Sequence, residues 1–125
     1  MTINKATPWI RVAVNVDTHP KIAGLSDSAF RALICGWCYC QDHLTDGFLA
    51  EGIAKRLGRS KAVIRELEDA GLWERELSAG GWWCHDYLEH QQSRSEVEAK
   101  RDAEAERKRK WRETRRGRDA GHLRD

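Results

Sequence analysis

Apolar positions along the first 92 residues recur with two periods, and each period predicts an element. "WIRVAVNV" (Trp9–Val16) alternates. Ile10, Val12, Val14 and Val16 fall on one side and Trp9, Arg11, Ala13 and Asn15 on the other, which predicts a half-buried strand. "DTHPKIAGL" then places Pro20 in the first turn of a short helix and Gly24 at its end. "SDSAFRALICGWCYCQDHL" switches to helical spacing, with Phe30, Leu33, Ile34 and Trp37 on one face. Ser26 is a suitable N-cap and Asp27 suits the first turn. This helix is expected to end near 42–44, before the turn "TDGF", where Gly47 takes a positive φ most easily.

Two short helices are predicted next. "LAEGIAKRLG" turns Leu49, Ile53, Ala54 and Leu57 inward and stops at Gly58. "SKAVIRELEDAG" runs from a Ser60 cap to Gly71, with Val63, Ile64, Leu67 and Ala70 as its apolar stripe. Only Gly58 and Arg59 separate Leu57 from Ser60, the tight connection of a helix-turn-helix. "LWEREL" and "WWCHDYL", joined by "SAGG", read as a β-hairpin. Within it Trp82 and Trp83 must face opposite ways, one into the core and one outward. A strand, three helices and a hairpin is the order of a winged helix. The expected fold is therefore mainly α with a small β-hairpin: a winged helix-turn-helix domain over residues 1–92, then a basic, partly helical tail over residues 93–125.

Composition sharpens that division. Residues 93–125 contain only Val97, Trp111 and Leu123 as large apolar residues, too few to bury a core of their own. Charge divides the same way. Residues 1–92 carry ten Lys and Arg against twelve Asp and Glu, a net of −2, and residues 93–125 carry twelve against eight, a net of +4. The total of +2 hides an acidic body and a basic tail. The tail has no Pro and is rich in Ala, Glu, Lys and Arg, and Glu96–Lys100, Glu104–Lys108 and Glu106–Lys110 are spaced for i,i+4 pairing. It lacks a continuous apolar stripe, so an exposed helix is expected rather than a packed one or a coiled coil. No secretory leader precedes Val16 and no apolar run is long enough to span a bilayer, so a cytoplasmic location with reduced cysteines is expected.

Basic residues concentrate in two places. The first is the start of the third predicted helix, where Arg59, Ser60, Lys61 and Arg65 precede Glu68 and Asp69. A helix-turn-helix commonly reads base edges with the N-terminal residues of its second helix, and helix-start N–H groups favour phosphate. The rival reading is a solvated charged face. The second is "RKRKWRETRRGR", in which Arg107, Lys108, Arg109, Lys110, Arg112, Arg115, Arg116 and Arg118 stand against Glu113 alone. Such a segment binds phosphates with strong salt dependence, and Trp111 within it is suited to stack on a base or wedge into a groove. The rival here is a solubilising tail. On the hairpin, Arg75 is a lesser candidate for a DNA-touching wing, flanked by Glu74 and Glu76.

Metal and catalytic chemistry find little purchase. Cys35, Cys38 and Cys40, with Cys84 and His85, resemble ligand spacing, but on a helix Cys40 points about 160° away from Cys38. Buried thiols are the simpler reading, and no metal or cofactor is expected. No phosphate loop or activated-serine motif occurs, and His85 and Asp86, adjacent in a strand, are expected to diverge. An enzyme is not expected.

Three stretches together, "HLTDGFLAEGIAKRLG", "LEDAGLWERE" and "WCHDYLEHQQSRSEVEAKRDAEAERKRKWRE", resemble a group of small actinobacterial and mycobacteriophage proteins with an N-terminal winged helix. These proteins are described as replication-initiation-like or helix-turn-helix DNA-binding. The resemblance spans roughly residues 9–115. It implies DNA binding and a phage or prophage setting, and it does not imply catalysis. The expected partner is double-stranded DNA, and the expected role is replication initiation or transcriptional regulation. The alternative is a winged-helix module that binds a host or phage replication or transcription protein through its acidic third helix and exposed tryptophans.

Overall fold

Ser26 begins helix α1 (Asp27–His43) as its N-cap, its Oγ accepting from the Ala29 N–H at 3.2 Å. The helix ends where Leu44 turns left-handed, and Asp46 and Gly47 follow at positive φ. Strand β1 (Phe48–Ala50), helices α2 (Glu51–Gly58) and α3 (Lys61–Asp69), and strands β2 (Trp73–Glu76) and β3 (Gly81–Cys84) come next. A helical turn, α4 (Tyr87–His90), completes the first unit, Met1–Ser93. The second unit, Arg94–Asp125, holds helix α5 (Arg94–Leu123). The structure, a computed structural model, describes residues 7–123, with side chains through residue 118.

The protein is mainly helical with one small antiparallel sheet. That sheet has three strands in the order β1-β3-β2, not the two of the expected hairpin. β1 places Phe48 opposite Trp83 and Ala50 opposite Gly81, and β2 places Trp73 opposite Cys84. β3 ends at Cys84 rather than near Leu88, because Asp86 adopts a left-handed conformation and turns the chain into α4.

The expected strand at Trp9–Val16 does not form. Residues 8–13 are irregular, and a short 3₁₀ turn occupies Val16–Thr18. Alternation is a local property, whereas a strand needs a ladder partner for its backbone groups. Here the partner is one side chain. The Arg11 N–H donates to Gln91 Oε1 at 2.8 Å, and Gln91 Nε2 donates to the Arg11 carbonyl at 2.6 Å. Val12 and Val14, expected inside, are exposed. The helix expected across Pro20–Gly24 is also reduced to turns, with Ile22 and Ala23 bonding back to the His19 carbonyl.

Helix α1 forms as expected and buries Leu33 of its expected face, but the rest of its buried face is shifted toward the small residues. Ala29, Ala32, Leu33, Gly36 and Cys40 are buried, while Phe30 and Trp37 are only partly covered and pack at the core's margin. The small residues let the neighbours come close. A Cβ added at Gly36 would meet Leu49 at 3.3 Å and Trp73 at 3.4 Å. The core assembles Leu33, Leu49, Leu67, Trp73 and Cys40 from α1, β1, α3 and β2. Val63, Ile64 and Leu67 form the buried stripe of α3, as the periodicity predicts, with Ala70 at its edge.

The turn between α2 and α3 is short, but its glycine acts differently from expectation. Gly58 is the last helical residue, and Arg59 takes the left-handed position at φ 67°. Gly58 is needed for space: a Cβ there would stand 2.8 Å from Ile64 Cγ1. The left-handed backbone therefore falls on a residue with a long cationic side chain, exposed at the start of α3.

Candidate nucleic-acid interface

Ser60 caps α3 by accepting from the Val63 N–H at 3.2 Å. Its oxygen is thus committed to the helix, and the cations around it are the exposed groups. Arg59, Lys61 and Arg65 are exposed, and none enters an ion pair among the described residues. Lys61 and Arg65 are one turn apart on the face opposite Val63, Ile64 and Leu67.

Glu66 would be the acid closest to this cationic group in sequence, and it is turned to another purpose. Its Oε1 accepts from the Ser26 N–H and its Oε2 from the Ser26 hydroxyl, each at 2.7 Å. Ser26 at the same time caps α1. In a capping box, a glutamate three residues into the helix closes back on the N-cap N–H. Ala29 holds that position in α1, and Glu66 of α3 supplies the missing carboxylate from across the fold. The Ser26 backbone and hydroxyl hold the Glu66 carboxyl below its ordinary value of 4.5. Sequence reasoning missed this pair because its partners lie 40 residues apart; the only local signal was a good N-cap without its usual glutamate. Glu68 and Asp69 remain exposed at the C-terminal end of the helix.

Arg75 is placed differently from the α3 cations. Its guanidinium lies over the Trp82 ring, 4.2 Å from the centroid, and approaches Glu51 Oε1 at 3.9 Å. The residue expected to make a wing contact is therefore held against the sheet. Trp82 is buried and Trp83 is 39% exposed, the opposed orientation expected of neighbours in a strand. The Trp83 indole N–H donates to Glu76. At the hairpin tip Leu77 is 81% exposed.

Helix α5 carries the second group. Arg107, Lys108, Arg109, Lys110, Arg112, Arg115 and Arg116 are all exposed. Arg107 pairs with Glu104 and Arg109 with Glu106, so these two glutamates bond one turn on at i+3 rather than to the i+4 lysines expected. Arg94 pairs with Glu98. Trp111 is 60% exposed, and the Arg115 guanidinium lies over its ring at 5.3 Å.

Cys40 and Cys84 are buried in the core, Cys38 is exposed and Cys35 intermediate. Hydrogen bonding to Cys40 and burial push the Cys84 thiol far up. Among the described residues no group of three or more His, Cys, Asp or Glu is placed to hold a metal ion. His85 and Asp86 meet rather than diverge, because the left-handed turn at Asp86 folds its carboxylate back. His85 Nε2 lies 2.9 Å from Asp86 Oδ2, and Nδ1 lies 2.6 Å from Glu74 Oε1. Both ring nitrogens thus brace the end of the sheet. An open cleft of about 600 Å³ adjoins this brace and is also lined by Ile22, Trp37 and Leu72. Among the described residues no helix is long and apolar enough to cross a membrane.

Comparison with family models, curated proteins and solved structures finds no match to this chain.

Proposed function

We propose that this chain is a phage-type winged-helix protein that binds double-stranded DNA, acting in replication initiation or transcriptional regulation. The N-terminal half of α3 enters the major groove, and the basic stretch of α5 neutralises phosphates. The winged-helix reading is supported by the order α1-β1-α2-α3-β2-β3 and by a sheet that inserts β3 between β1 and β2. The observation that carries the DNA reading is the uncommitted state of Arg59, Lys61 and Arg65 while Glu66 is drawn away to Ser26. An acid-bearing helix can meet a polyanion by its basic end.

Titration of random duplex DNA at about 50 and about 200 mM salt is the direct test. Binding that weakens steeply with salt supports the reading, and no detectable binding at the lower salt overturns it. In that event the rival becomes the better account: a module that docks on a replication or transcription protein. Its supporting observation is the apolar Leu77 at the hairpin tip, close in sequence to the half-exposed Trp83.

A further inference from the structure

The basic helix carries cations all round its axis, with Arg109, Lys110, Arg112 and Arg116 about 100–160° from Trp111, but its acids are not spread evenly. At about 100° per residue, Arg107, Lys108, Arg115 and Arg118 all lie within about 60° of Trp111. Asp102, Glu106 and Glu113 lie about 140° or more from it, on the opposite face. Glu104 falls on the Trp111 side, and there it is occupied by Arg107. The tryptophan is thus the centre of a cationic face, and the other acids of this stretch are kept behind it.

Phosphate neutralisation alone does not explain an indole in that position. Lysine and arginine suffice to track a duplex backbone, and a large apolar ring left 60% exposed on a helix carries a hydration cost. Nor does packing within the helix explain it, since every residue from Glu98 to Arg118 is exposed. What an exposed ring among cations recognises is a polyanion that also offers flat apolar faces. Unpaired nucleotides have both, whereas in a duplex the base faces are stacked on one another. Arg115 over the ring adds a second planar cation to the platform.

We propose that the Trp111 face of α5 is a binding site for single-stranded nucleic acid, with Trp111 stacking on an unpaired base and Lys108, Arg115 and Arg118 holding the flanking phosphates. The proposal rests on the DNA-binding reading only for the tail's affinity for nucleic acid; it requires nothing of α3. A body that reads duplex and a tail that takes unpaired bases would together suit a junction between paired and opened strands.

The test uses the full chain and a fluorescent oligothymidylate about 20 nucleotides long, with a blunt hairpin duplex as comparison. Trp111→Ala should weaken oligothymidylate binding by about fivefold or more and leave duplex binding within about twofold. Trp111→Phe should retain most single-strand affinity while abolishing the quenching of indole emission that accompanies it. Alanine is a better helix former than tryptophan, so the variant keeps its helix, which far-ultraviolet circular dichroism verifies. Equal losses on both nucleic acids would overturn the proposal in favour of a groove contact. An unchanged affinity for oligothymidylate, or none in the parent protein at low salt, would overturn it outright. Arg65→Ala keeps the readings apart: it should leave oligothymidylate binding unchanged and weaken only a duplex that carries a preferred sequence, and its failure to do so bears on α3 and not on Trp111.

Discussion

Helices α3 and α5 both mix acids with bases, and the fold treats the mixture in opposite ways. In α3 an apolar stripe of Val63, Ile64 and Leu67 fixes the helix against the core, so each charge has an assigned direction. Glu66 reaches Ser26, while Lys61 and Arg65 face outward. In α5 every side chain from Glu98 to Arg118 is exposed, and the pairs Arg94–Glu98, Arg107–Glu104 and Arg109–Glu106 all join neighbours on the same helix. Such pairs contribute a few tenths of a kcal/mol each and release their partners easily. Charge fixed by packing suits recognition; charge held by local pairs suits affinity. The arrangement along α5 also favours the helix itself. Residues 94–106 carry three basic and five acidic residues, and residues 107–118 carry eight and one, which opposes the macrodipole at both ends.

The contrast can be broken in several places. Ending the chain at Glu106 should have the largest effect. It removes eight cations from the binding segment, so the slope of log affinity against log salt should flatten by as much as about seven if each meets a phosphate. Trp73→Ala should come next, destabilising the body by about 3–5 kcal/mol in chemical denaturation, because Trp73 is almost wholly buried. Trp111→Ala should move the same transition by no more than about 0.5 kcal/mol. Arg65→Ala should cost about 1–3 kcal/mol in binding a preferred duplex and should leave random-sequence binding nearly unchanged, as competition titrations would reveal. If it weakens both equally, α3 contributes charge and not recognition.

The smallest effect is a pH dependence. Glu66 is held below its ordinary value in the folded protein, so its contribution to stability is complete above about pH 4.5 and is lost as pH falls through the depressed folded value. Glu66→Gln should therefore flatten the acid limb of the thermal-stability profile, with a lower melting temperature at neutral pH. A parallel acid limb in both proteins would show that the Ser26 pair contributes nothing measurable.

Helices with a continuous stripe were legible from sequence, as α3 illustrates: its cap, its buried residues and its glycine-marked end all follow from spacing. β1 was not legible, because three residues complete no alternation. It exists through what lies opposite, where Gly81 allows β1 so close that a Cβ would stand 2.3 Å from the Leu49 carbonyl. The Trp9–Val16 segment fails in the reverse sense, with a good pattern and no ladder. In α1 the buried face follows the small residues, since close approach to Leu49 and Trp73 decided the packing over the bulk of Phe30 and Ile34. The candidate cations were visible as a composition, but their availability was not. Nothing in the order of residues shows that Arg75 lies on Trp82 or that Glu66 turns toward Ser26.

Gln91 stands where a neighbouring strand would stand. Its carboxamide carries one donor and one acceptor side by side, the same pair that a peptide group offers, and it gives both to Arg11. The result is a noncovalent staple that closes a loop of 80 residues. Loop-closure entropy grows only slowly with length, so this distant closure costs little more than a shorter one. Yet among the described residues no strand ladder stands behind it, so loss of the staple should loosen residues 9–13 before the sheet and helices. Exchange of the Arg11 amide with solvent would time that release, and Gln91→Glu, which keeps the acceptor and deletes the donor, would hasten it.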